Sequence, residues 1–150
     1  MNFWTLLALA LAVLWLQANA ITCAALQAMR AEARARWEAL LSLERCLLER
    51  RGVEGSRPPV CLQSWTAILE QTIWPEEAPR VHAFFDERRR VGNPGLGCGV
   101  LELRCREAVR CYAEAAALYN ERLSLPWGWP LSKWAGFLPV TAPPSTVEPD

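Results

Sequence analysis

Charged residues are missing between Phe3 and Leu26, and from Phe3 to Leu16 every residue except Thr5 is apolar. A hydrocarbon core of about 30 Å takes roughly twenty residues at helical rise. The pattern therefore predicts a transmembrane helix over 1–24, with Gln17 and Asn19 near one interface and Trp4 and Trp15 placed as interfacial aromatics. The rhythm then changes. Leu26, Met29, Ala33, Trp37, Leu40, Leu43 or Glu44, and Leu47 recur at helical spacing directly out of the apolar run, while Arg34, Glu38, Glu44, Arg45, Glu49 and Arg50 fall largely on the opposite, wet side. Anchor and first bundle helix read as nearly continuous, with Gly52 as the C-cap and Gly55 to Pro59 as the loop that follows.

A shorter helical stripe, Trp65, Ile68, Leu69, Thr72 and Ile73, stops at Pro75. Glu76 and Glu77 suit the first turn of the next helix, where carboxylates meet the positive end of the dipole. Val81, Phe84, Phe85 and Val91 supply its buried side, and Gly92 to Gly99 form a turn. The longest soluble pattern runs from Leu101 to Leu123. Its seam, Leu101, Cys105, Ala108, Tyr112, Ala115 and Tyr119, advances alternately by four and three, and Pro126 ends it. The tail from Pro126 to Pro139 carries three tryptophans among prolines and is no regular helix, and residues 140–150 read as disordered. The fold class expected is all-α, a transmembrane helix followed by an antiparallel bundle of about four helices over 25–139.

Composition narrows the function classes. Sixteen basic and sixteen acidic residues cancel, so no global field draws in nucleic acid. The six cysteines at 23, 46, 61, 98, 105 and 111 have two readings: small apolar packing residues, or three disulfides of an exported domain. No C-x-x-C pair is present to suggest a metal or redox site. Arg30, Arg34 and Arg36 follow the apolar run, whereas only the terminal amine precedes it. The positive-inside bias then places the N-terminus outside and the bundle in the cytoplasm of an inner membrane. The rival is a cleaved signal peptide, for which Ala18-Asn19-Ala20 has the small-x-small form but the first four residues lack a basic group.

Candidate chemistry is sparse. The glycine-rich turn follows a helix and lacks the G-K-[ST] of a phosphate cradle. His82, the single histidine, has Asp86 and Arg80 as ordinary helix neighbours, and no triad or H-E-x-x-H pattern is present, so no catalytic residue and no cofactor is expected. Arg88-Arg89-Arg90 reads first as a solvated face and second as a contact for anionic lipid. If Tyr112 and Tyr119 are buried, their hydroxyls need partners, for which Asn120 or a backbone carbonyl is expected.

The run Glu102-x-Arg104, Ala108-x-Arg110-x-Tyr112-x-Glu114-Ala115, Tyr119-Asn120-x-Arg122, then Pro126 and Gly136-Phe137-x-Pro139, resembles the C-terminal signature of the LemA family. Leu103 and Ala113 stand where that family often has Asn, and Cys105 where it has Ile. Arg36-Trp37 and the leucine- and arginine-rich continuation are similar, more loosely, to its first soluble helix. The resemblance covers roughly the last third of the chain and implies a bacterial membrane-anchored helical bundle. With it the expected function is a non-enzymatic scaffold or interaction module, held in the bilayer through residues 3–24, with an unidentified protein partner or a homo-oligomer. The alternative is an exported, disulfide-linked helical protein.

Overall fold

The computed structural model describes residues 2–53, 65, 67–71, 73–91, 99–125 and 135–143. Among them, all regular structure is α-helical, as the periodicity predicts: α1 (Phe3–Val53), α2 (Ala78–Val91) and α3 (Gly99–Ser124), with a further helical stretch at 67–70. α1 has 51 residues, about 77 Å at 1.5 Å per residue. Its continuity has a simple origin: between Phe3 and Arg51 there is neither glycine nor proline, and Ala, Leu, Arg and Glu dominate. The carbonyl of Asn2 opens the helix by accepting from the amides of Thr5 and Leu6 at 2.9 and 3.3 Å. Gly52, expected to cap it, instead lies inside the last turn, since the helix runs on to Val53.

Cross-contacts set the directions of the elements. Arg45 donates to the carbonyl of Leu69, and the Trp37 indole Nε1 donates to that of Ile73, so the 65–73 segment runs antiparallel to α1. Glu76 meets Arg30 and Arg34 while Arg88 meets Glu44, so α2 runs parallel to it. Trp37 packs on Tyr112, while Arg30 and Arg34 lie close enough to Tyr119 to act on its ionisation, so α3 is antiparallel. The result is an up-down-up-down bundle built on the second half of α1.

Its core is an aromatic cluster. Trp37 sits at the centre, with ring centroids 5.2 Å from Phe84, 6.1 Å from Phe85 and 5.0 Å from Tyr112, and Trp65 stacks against Phe84 at 4.9 Å. Leu26, Ala33, Leu40, Leu41, Leu69, Ile73, Val81, Ala116, Tyr119 and Leu123 extend the core along the bundle. Rings that meet at tilted or edge-on angles gain beyond the area they bury.

Two further sequence readings need correction. Glu44 is buried (4% exposed), not on the wet side. Its carboxylate accepts from Arg88 at 2.7 Å, so Arg88 is no lipid-facing member of the arginine run. Packed chain also continues beyond residue 139, because Val140 is 2% exposed in the core. Arg50, Thr72 and Val91 side chains, Gly55 to Pro59, Gly92 to Cys98, the tryptophan-rich 126–134 and 144–150 lie outside what is described here.

Candidate functional site

Three features of the described chain stand out: an apolar rod, a strap bound across α3, and a partly buried ion cluster. The rod is the first half of α1. Phe3, Trp4, Leu9, Leu14, Trp15, Leu16 and Ile21 are each more than half exposed, and the most apolar part of the helix buries nothing. Asn19 and Thr22 within it turn inward to the backbone. Asn19 donates to the Trp15 carbonyl and Thr22 to that of Ala18, both at 2.8 Å, so each makes a donor bond that needs no water. α1 is thus long and apolar enough to cross a membrane.

The strap is residues 137–141. Its placement follows from α3, which aims Tyr112, Tyr119 and Asn120 at one side. Tyr119 Oη donates to the Leu138 carbonyl at 3.0 Å, and Tyr112 Oη to the Thr141 carbonyl at 2.6 Å. The Asn120 carboxamide takes both polar groups of one residue, donating to the Val140 carbonyl at 2.6 Å and accepting its amide at 3.0 Å. The amide of Thr141 then reaches the Pro75 carbonyl at 2.8 Å, tying the strap to the approach to α2. Phe137 and Val140 bury their side chains in the core. Gly136 enters the strap at φ 69°, the left-handed region that glycine adopts without strain. Burial raises the pKa of both tyrosines above the ordinary range; the Glu76 charge adds to this at Tyr112, whereas at Tyr119 the Arg30 and Arg34 charges oppose the rise and Glu76 supports it. Both hydroxyls therefore stay protonated donors.

Residues of the expected seam divide in space. Cys105, Tyr112 and Tyr119 are buried, whereas Leu101, Ala108 and Ala115 are half-buried, and Ala116 and Leu123 complete the buried set. A four-three alternation averages 3.5 residues, but a straight helix turns every 3.6, so the buried line drifts from Ala115 to Ala116. Of the residues on which the resemblance to the LemA family rests, the fold brings Tyr112, Tyr119, Asn120, Gly136 and Phe137 to the strap, with Pro139 exposed within it. Glu102, Arg104 and Arg110 lie elsewhere: Glu102 pairs with Arg106 at 3.0 Å, Arg110 with Glu107 at 2.8 Å, and Arg104 is exposed.

The ion cluster escaped the sequence reading. Glu76, 7% exposed at its side chain, accepts at Oε1 from Arg30 Nε at 2.8 Å and Arg34 Nε at 2.9 Å. Burial penalises its charged form, but the two guanidiniums outweigh that penalty and hold the carboxyl below its ordinary range. The Arg34 guanidinium also lies 5.0 Å over the Trp74 ring, at one side of a groove of about 240 Å³ lined by Trp37, Leu41, Ile73 and Pro75. No spacing rule pairs residues 30 and 34 with 76. For Glu44, the one legible signal was its place on the apolar stripe.

His82 is exposed, and among the described residues no group of three His, Cys, Asp or Glu side chains converges as a metal site would require. Cys23, Cys46 and Cys111 carry free thiols, with Cys46 exposed, and Cys105 is buried. Cys61 and Cys98 lie outside the described residues. Compared with known protein families, curated proteins and solved structures, the chain matches none.

Proposed function

We propose that the chain is a single-pass membrane protein in which α1 anchors a LemA-type bundle to the inner membrane, the bundle serving in the cytoplasm as a non-enzymatic scaffold or interaction module. The observation that carries this reading is the division of α1. One uninterrupted helix leaves its first half bare and apolar and builds a core around its second. At about 25 cal/mol per Å² of apolar surface, a bare rod of that length is strongly unfavourable in water and favourable in hydrocarbon. Arg30, Arg34 and Arg36 supply the charge bias for the orientation. The meeting of Tyr112, Tyr119, Asn120 and Phe137 at the strap supports the LemA-type reading, since residues far apart in the signature become one packing unit.

The test uses the exposed Cys46 thiol as a reporter, with Cys46→Ser as its control. Membrane-impermeant maleimide is expected to label Cys46 only after permeabilisation, on a chain of full mass that resists carbonate extraction. Labelling of intact cells would reverse the orientation. Release by carbonate, or loss of the first twenty residues with thiols reactive only after reduction, would establish the exported alternative instead.

A further inference from the structure

We propose that Arg30 and Arg34 form a headgroup site for an anionic phospholipid of the leaflet that the bundle faces, an inference that rests on α1 crossing the bilayer. Depth is the first argument. The bare rod gives way to the bundle without a linker: Ala24 and Ala25 are exposed, and Leu26 is already buried in the core. α1 continues unbroken, so Arg30 and Arg34 stand about 6 and 12 Å beyond Leu26 at 1.5 Å per residue. The Cα–Cβ bonds of a helix tilt toward its N-terminus, which for α1 is the membrane side. Both long side chains therefore lean back toward a headgroup layer roughly 5–8 Å deep.

Charge is the second argument. Two guanidiniums meet one carboxylate oxygen, Glu76 Oε1, so the cluster keeps one positive charge in excess. Flanking charges cancel among themselves, Arg36 pairing with Glu32 at 2.7 Å and Arg80 with Glu77 at 3.0 Å. Arg30 bonds Glu76 through Nε, and Arg34 through Nε with its Nη2 2.7 Å from the same oxygen. Among the described residues, both terminal nitrogens of Arg30 and Nη1 of Arg34 are left without an acceptor. Guanidinium nitrogens suit the oxygens of a phosphate, and Glu76 holds two such groups one helical turn apart with 26% and 37% of each side chain exposed. Trp74, 43% exposed, stacks on the Arg34 guanidinium at 5.0 Å and adds an aromatic of the kind that settles at a bilayer interface. Depth also selects the source of the phosphate, because at this height the leaflet itself presents the anions.

The experiment reconstitutes the full chain in vesicles of phosphatidylcholine and phosphatidylglycerol, checks insertion by carbonate resistance, and compares the lipids retained on the protein by native mass spectrometry. The preference for phosphatidylglycerol is expected to fall about fivefold in Arg34→Gln, the worth of one basic group at an anionic surface. Arg36→Gln is expected to keep the preference of the unaltered chain. Equal losses in the two variants would mean diffuse attraction, and no preference in the unaltered chain would mean no site. Either result, on an inserted chain, overturns the proposal alone. Extraction of the unaltered chain by carbonate would overturn the anchor reading and the lipid site with it. If Arg34→Gln fails to fold, hydrogen exchange on the unaltered chain decides. The Glu77 amide, bonded to the Trp74 carbonyl at 2.9 Å, is expected to exchange more slowly in vesicles containing phosphatidylglycerol than in phosphatidylcholine alone. Equal exchange in both would overturn it.

Discussion

The two halves of α1 share one backbone and one uninterrupted helix, yet they differ in composition and meet different surroundings. Between Phe3 and Ala24 the apolar residues cover every side and none is buried. From Leu26 to Leu47 the apolar residues gather in a stripe, and Leu26, Ala33, Trp37, Leu40, Leu41 and Leu47 are all buried. The difference shows that helix formation alone does not specify what a helix does. A helix that is apolar all round selects hydrocarbon, and one with a stripe selects other helices. Changes in the two halves should therefore be separable.

The largest expected effect lies in the striped half. Trp37→Ala removes the centre of the aromatic cluster and the indole donor to Ile73, and should destabilise the bundle by about 3–5 kcal/mol in denaturant unfolding. Retention of a wild-type melting curve would dissolve the distinction between the halves. Leu11→Arg, in the bare half, should cost about 2.5–3.5 kcal/mol in membrane insertion while leaving bundle unfolding unchanged. Loss of bundle stability in the same variant would mean the rod packs on protein.

Glu76→Gln tests the polar collar where the halves meet. Weakening its charge-assisted bonds should lower stability by about 1.5 kcal/mol at neutral pH. The acid dependence has a definite sign. Because Arg30 and Arg34 hold the folded carboxyl below the ordinary 4.5, the unfolded chain binds more protons in the window beneath that value, and stability falls as pH drops through it. In Glu76→Gln that part of the acid loss should vanish from a pH series of melting temperatures. An unchanged acid profile would place the proton uptake elsewhere.

On α3, Ala116→Gln should be the most damaging of the small-residue changes, about 1–3 kcal/mol, through overpacking and an unsatisfied amide. Ala108→Gln and Ala115→Gln should cost less because both sites are half-buried, and Glu114→Gln should stay within about 0.5 kcal/mol. An order with Ala115 above Ala116 would restore the 3.5-residue line. These are measured by chemical unfolding of the full chain in one detergent.

The apolar run, the stripe Leu26 to Leu47, the break at Pro75 and the pattern from Val81 to Phe85 were legible because each is set within a few residues of chain, by period and by helix breakers. So was the need of Tyr112 and Tyr119 for partners, since a buried hydroxyl demands one whatever the fold. The identity of those partners was not, because Leu138 and Thr141 act through carbonyls, which every residue carries. Val140 opens a proline-rich stretch whose local composition favours solvent; its burial rests on the core its side chain enters and on the Asn120 carboxamide that pairs its main-chain groups.

By itself, then, the order of residues determined the helices, their lengths and the abrupt change from an apolar rod to an amphipathic one, since propensity and periodicity are local properties. Tertiary structure decided which charges are buried and which segments close the bundle. Glu76 with Arg30 and Arg34, Glu44 with Arg88, and the strap across Tyr112, Tyr119 and Asn120 join positions that no local rule couples. Their charges and main-chain groups leave water where the packed helices bring compensating partners within hydrogen-bond reach, although Glu76 Oε2 is buried without one.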